Sequence, residues 1–136
     1  MAAAFASEGE LRIDKIASGI GIIIFNAKSK QAAGLHVLRG IAPSANPNVP
    51  TYYADTGVAQ VLETLQANGA KDNFSVAIAG GASMLSKSKF GISQTLPETV
   101  KSVLSKSGLA VKVEKIGGSQ TRSMVLDINA GKLKIL

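Results

Sequence analysis

The chain carries one histidine, His36, and no cysteine. A neutral imidazole can take a proton from a hydroxyl, a thiol or a water. With no thiol in the chain, a possible nucleophile for it to activate is the Ser18 hydroxyl, in Ser18-Gly19-Ile20-Gly21. Serine is a weak nucleophile unless a base stands beside it. A Ser18–His36 pair would therefore be hydrolase chemistry, with backbone amides near the glycines holding an oxyanion. The plainer reading is a glycine-softened strand start and a buried, hydrogen-bonded histidine. The missing cysteine removes disulfides, thiolate metal sites and thiol nucleophiles together. One histidine and scattered carboxylates suggest no metal site, and no motif suggests a cofactor.

Two further segments could bind something. Gly80-Gly81-Ala82-Ser83 follows an apolar run, where phosphate cradles occur. It lacks the Gly-Lys-Ser/Thr ending of a P-loop and reads first as a turn that lets backbones approach closely. Tyr53-Ala54-Asp55-Thr56 opens a helical pattern, so Asp55 is expected to be its N-cap rather than a general acid.

The elements that must position these residues follow from periodicity. Glu10-Leu11-Arg12-Ile13 alternates like a short edge strand. Ile20 to Phe25 is dense in β-branched residues and reads as a buried strand. Gly34 to Leu38 reads as its hairpin partner, with His36 in the middle and a polar turn from Asn26 to Lys30 between them. Ile41 to Pro50, rich in proline and asparagine, is a loop. Val58, Val61, Leu62 and Leu65 make one helical stripe, stopped by Gly69. Phe74 to Ala79 is a strand. A capping box of Thr95 and Glu98, with Pro97 in the first turn, predicts the start of a second helix ended by Gly108. Leu109 to Ile116, Ser123 to Ile128 and Lys132 to Leu136 are strands, the last two joined by Asn129-Ala130-Gly131. The pattern is α/β with mostly antiparallel strands, two main helices and a single domain over 1–136.

With 46% hydrophobic residues and 18% charged, the chain can bury a core without staples. Its apolar stretches, Ile22-Ile23-Ile24-Phe25 among them, are far too short for a membrane span, and Met1 to Phe5 is too short for a secretory signal. Membrane insertion is not expected, and a cytoplasmic location is. The net charge of +6 would suit an acidic partner. The lysines are dispersed and aromatics few, so nothing beyond charge favours nucleic acid.

The ordered set of motifs resembles the CheD family of bacterial chemotaxis proteins, the chemoreceptor glutamine deamidases. Tyr53-Ala54-Asp55-Thr56 matches that family's helix start. Ala77-Ile78-Ala79-Gly80-Gly81-Ala82-Ser83-Met84 matches its glycine-rich segment. Gly117-Gly118, Arg122-Ser123 and Asn129-Ala130-Gly131-Lys132 match its C-terminal hairpin, so the likeness runs from about Leu11 to Leu136. The resemblance implies a layered α/β/β fold shared with cytotoxic-factor-like deamidases. It also implies a reaction: a Cys thiolate attacks a receptor glutamine amide, ammonia leaves, and water hydrolyses the thioester. A His acts as base and a Thr positions the groups. The family's partners are chemoreceptors and the CheC phosphatase.

Carried over residue by residue, the family's Gly-Ser-Cys falls on Ala17-Ser18-Gly19 and its His on His36. Its Thr falls on Ile13, and its Leu-Pro after the His is replaced by Arg39-Gly40. The base position is kept and the nucleophile position is a glycine. Loss of the nucleophile from a covalent mechanism typically costs on the order of a million-fold in kcat. What remains in such sites is on the order of a thousand-fold over water. The expectation is a CheD-like chemotaxis protein that no longer deamidates and acts by binding a receptor or a CheC-like phosphatase. The alternative is an amidohydrolase that uses Ser18 with His36, or a water activated by His36.

Overall fold

The central strand explains the architecture. Ile20–Asn26 has almost every residue buried, on both faces, so it needs a layer on each side. The computed structural model describes residues 3–44, 49–81 and 92–136, with the backbone alone at 92–95. In chain order the strands are β1 (Ala3–Ala6), β2 (Glu10–Ile16), β3 (Ile20–Asn26), β4 (Gln31–Val37), β5 (Phe74–Gly80), β6 (Ala110–Ile116), β7 (Arg122–Asp127) and β8 (Lys132–Ile135). The helices are α1 (Ala54–Ala67) and α2 (Ile92–Lys106), and a 3-10 turn spans Pro50–Tyr52.

A five-stranded sheet has the order β1-β4-β3-β5-β6, and a three-stranded sheet the order β2-β7-β8. All pairings are antiparallel except β5 with β6. The connection between those two parallel strands must cross over, and α2 makes it. The helices lie on one face of the large sheet. Ile20, Ile22 and Ile24 pack there against Val58, Val61 and Leu65 of α1 and Val100 and Leu104 of α2. The small sheet covers the other face, where Ile23, Ala77 and Ala79 meet Leu11, Ile16, Met124 and Leu126. The result is the layered α/β/β fold that the resemblance implies.

Local readings hold where local physics decides. Gly69 and Gly108 lie at φ +97° and +75° just past the two helices, conformations that glycine adopts without strain. Asn26, buried at the end of β3, donates to the Asp72 carbonyl and accepts from the Ser29 amide at 2.8 Å and hydroxyl at 3.1 Å, closing the β3–β4 turn.

Three expectations need correction. Asp55 is not the N-cap of α1: Tyr53 is, and it makes no side-chain cap bond. The first helical amides, Ala54 and Asp55, donate instead to the Arg39 and Gly40 carbonyls at 2.8 and 3.1 Å. A loop brought in by the tertiary fold does the capping. Thr95 and Glu98 do not open α2, because the helix already runs from Ile92 and Pro97 lies inside it rather than in its first turn. His36 stands near the end of β4, not at its middle. The N-terminal edge strand β1, antiparallel to β4, was not foreseen.

Candidate functional site

The sheet register gathers one end of the molecule. Ile20 faces Val37 on one side and Gly80 on the other, and Gly80 faces Ile116. Gly19, Leu38, Gly81 and Gly117, each one residue beyond, therefore lie together. This is the carboxyl end of β4, β5 and β6, where open α/β sheets commonly place their sites. The Gly81 amide donates to the Gly19 carbonyl, and the Gly117 amide to the Gly80 carbonyl, both at 2.9 Å. Gly80 sits at φ +124°, and a Cβ there would run into the Gly19 carbonyl and Ile16. The glycine pair is thus a close-approach turn. Ala82 and Ser83, the rest of that motif, lie outside the described residues.

His36 is directly across from Gly21 in the β3–β4 ladder. Its neighbours Leu35 and Val37 belong to the helix-side core, so the imidazole faces the small sheet. Its Nε2 is buried and, among the described residues, has no hydrogen-bond partner. Burial lowers its pKa below the ordinary histidine value, which favours the neutral ring. A Cβ built on Gly19 would stand 3.0 Å from that Nε2. It would also stand 2.6 Å from Leu38 Cδ2 and 2.6 Å from the Val37 carbonyl oxygen. Position 19 is therefore beside the imidazole, and its side-chain space is already filled by Leu38 and the β4 backbone.

Ser18 is exposed and, among the described residues, makes no hydrogen bond to His36. The pair needed for serine chemistry is not assembled in this conformation. Ile13 packs over Gly34 of β4, two residues from His36 on the same face. A bulge in β2 follows it, with Lys15 at φ 57°. Residue 13 is thus aimed toward the site and presents a hydrocarbon there.

Tyr53, Asp55 and Thr56 come to the same end of the sheet but hold the loop after β4. Leu38 and Arg39 donate to the Tyr52 carbonyl at 3.0 and 3.2 Å. The Asp55 carboxylate accepts from the Ala42 amide at 2.9 Å and the Thr56 amide at 2.8 Å. The Thr56 hydroxyl donates to the Pro50 carbonyl at 2.6 Å. Arg122 opens β7 at this end. One guanidinium nitrogen is 3.4 Å from the Gly117 carbonyl, while its buried Nε has no partner among the described residues. Sequence reasoning missed Leu38 as the residue that covers Gly19, since only the folded register puts them together. Among the described residues, no group of three His, Asp or Glu is placed to hold a metal. No helix there is long and apolar enough to cross a membrane.

Comparison with known proteins agrees with this architecture. The family model described as CheD chemotactic sensory transduction matches residues 40–136. A probable chemoreceptor glutamine deamidase CheD from Clostridium botulinum strain Alaska E43 is 32% identical, over 96% of this chain and 84% of its own. The corresponding protein of Desulforamulus reducens is 29% identical, over 96% of this chain and 82% of its own. The chemoreceptor glutamine deamidase CheD of Thermotoga maritima is 31% identical, over 88% of this chain and 76% of its own. The family model begins after His36, whereas the alignments over 96% of the chain run through both Gly19 and His36.

Proposed function

The chain belongs to the CheD family, and on that premise we propose that it is a chemotaxis protein that has lost the deamidase reaction and works by binding. The observation that carries this reading is at residue 19. The family's nucleophile position falls there, a side chain there would begin 3.0 Å from His36 Nε2, and the residue is glycine. Ile13 and Arg39-Gly40 depart from the family pattern around the same spot, while the scaffold motifs are kept.

Without a thiol at residue 19 no thioester can form, and the Ser18 hydroxyl is not hydrogen-bonded to His36 to take its place. A neutral His36 can still polarise a water, and that leaves only residual catalysis. Binding survives because the loops that frame the site are still tied: Tyr52, Asp55 and Thr56 hold the segment after β4 against the start of α1. The partner is the cytoplasmic helical region of a chemoreceptor, the kind of protein that the named relatives act on, or a CheC-like phosphatase. Residues 1–136 act as one CheD-like domain in the cytoplasm. An equilibrium-binding measurement with purified receptor cytoplasmic fragments and a CheC-like phosphatase tests this. Saturable binding to at least one is expected; binding to neither would overturn the reading.

A further inference from the structure

At the end of the sandwich away from Gly19, the two sheets do not close on each other. The cleft between them measures about 300 Å³. Ile23 and Phe25 of β3, Val113 of β6, Leu126 of β7 and Leu133 of β8 form its apolar walls.

The pairing of β5 with β6 shapes this opening. Val76 faces Val111, but Ala77 faces Val113, so Lys112 is an extra residue in β6. A bulge of this kind resets which face each later side chain takes. Val111 packs with the helix-side core, and so does Ile116. Glu114 also points to the helix side, where its carboxylate meets Lys101 of α2 at 2.6 Å. Val113 and Lys115 therefore face the cleft side, and Val113 remains 42% exposed.

The charge that lines this slot is positive. Lys112 lines it. Lys28 adjoins the lining residue Ala27, and both lysines are exposed. No Asp or Glu lines the cleft, and the one acid on β6 is turned away and paired.

We propose that this cleft docks an acidic, amphipathic segment of a partner protein. Its apolar side chains enter between Phe25, Val113 and Leu133, and its carboxylates meet Lys112 and Lys28. Competing occupants fit less well. A nucleic acid would use the lysines and leave the apolar walls against water. A second copy of this chain would set lysines against lysines. The cleft lies four to six residues along β3 from Gly19, roughly 13–20 Å at the rise of a strand. It is thus a contact surface separate from the His36 end, and it does not depend on the function proposed for that end.

The test is a nitrogen-15 NMR titration of the full chain with three synthetic helix-forming peptides. One carries leucines on one face and glutamates on the other. The second has lysines for the glutamates, and the third has serines for the leucines. Saturable shifts at Phe25, Ala77, Val113 and Leu133 are expected with the leucine/glutamate peptide only. Val113→Asp and Lys112→Glu, both at exposed positions, should each weaken binding about tenfold. If Val113→Asp alters the whole spectrum, Lys112→Glu alone carries the comparison. Equal binding of the leucine/lysine peptide, shifts centred on Gly19 and His36, or no shifts would each overturn the proposal. So would shifts at the same residues from a DNA duplex, or self-association that Val113→Asp abolishes.

Discussion

Gly19→Cys tests the proposal that residue 19 is the family's nucleophile position, and the structure sets the cost. The backbone at Gly19 lies outside the left-handed region, so an L side chain meets no conformational penalty there. The penalty is steric: the new Cβ would stand 2.6 Å from both Leu38 Cδ2 and the Val37 carbonyl oxygen. Leu38 can rotate away, but Val37 is held by its pairing with Ile20. Overpacking of this kind costs about 1–3 kcal/mol. For a chain of this size that is a fall in Tm of about 3–12 °C. The thiol would also be pushed off its line toward a substrate amide. Gly19→Cys alone should therefore melt lower than the parent and release little ammonia from receptor fragments. Gly19→Cys with Leu38→Ala, which removes one of the two collisions, should release more. Thermal melts and coupled ammonia assays on the three proteins decide this. A Gly19→Cys variant that melts with the parent, or turns over like a cysteine-bearing relative, would refute the steric argument.

His36 should leave a mark on the pH dependence of stability. Its folded pKa is depressed by burial, so as pH falls below about 6.5 the unfolded chain binds the proton first and the native state loses stability. Above that pH nothing is lost. Thermal melts between about pH 8 and pH 5 should fall more for the parent than for His36→Asn, and parallel profiles would contradict it. Asp55→Ala removes the acceptor of the Ala42 and Thr56 amides and should cost about 1–2 kcal/mol. Hydrogen exchange at Ala42 should quicken with it. Asn26→Ala leaves the Ser29 amide and the Asp72 carbonyl without their side-chain partner and should cost about 1–3 kcal/mol by denaturant unfolding.

Much of the scaffold was legible because its signals are local. The β-branched run of β3, the stripe of α1 and the glycines after both helices each follow from the chain's own periodicity or backbone freedom. The misreadings arose where distant residues decide. Asp55 has the chemistry of a cap, but the Arg39 and Gly40 carbonyls reach those amides first. Thr95 and Glu98 have capping-box spacing, yet the helix extends ahead of them. Ala3–Ala6 carries no strand signal of its own and becomes one by pairing with β4. The bulges at Lys15 and Lys112 depend on register between strands far apart in sequence, so neither the aim of Ile13 nor the cleft beside Val113 could be read beforehand. The proposal that residue 19 stands at the family's cysteine position rests on motif order and spacing; its closeness to His36 and its enclosure by Leu38 belong to the fold.

The account turns on whether a CheD-family chain with glycine at position 19 still deamidates. The most direct measurement is ammonia release from purified chemoreceptor cytoplasmic fragments, with mass spectrometry of their glutamines and the Thermotoga maritima relative as the positive control. No ammonia above the uncatalysed background and intact glutamines are predicted for this chain. Turnover comparable to the relative's, retained in His36→Asn, would contradict both the loss of the reaction and the role given to the remaining imidazole.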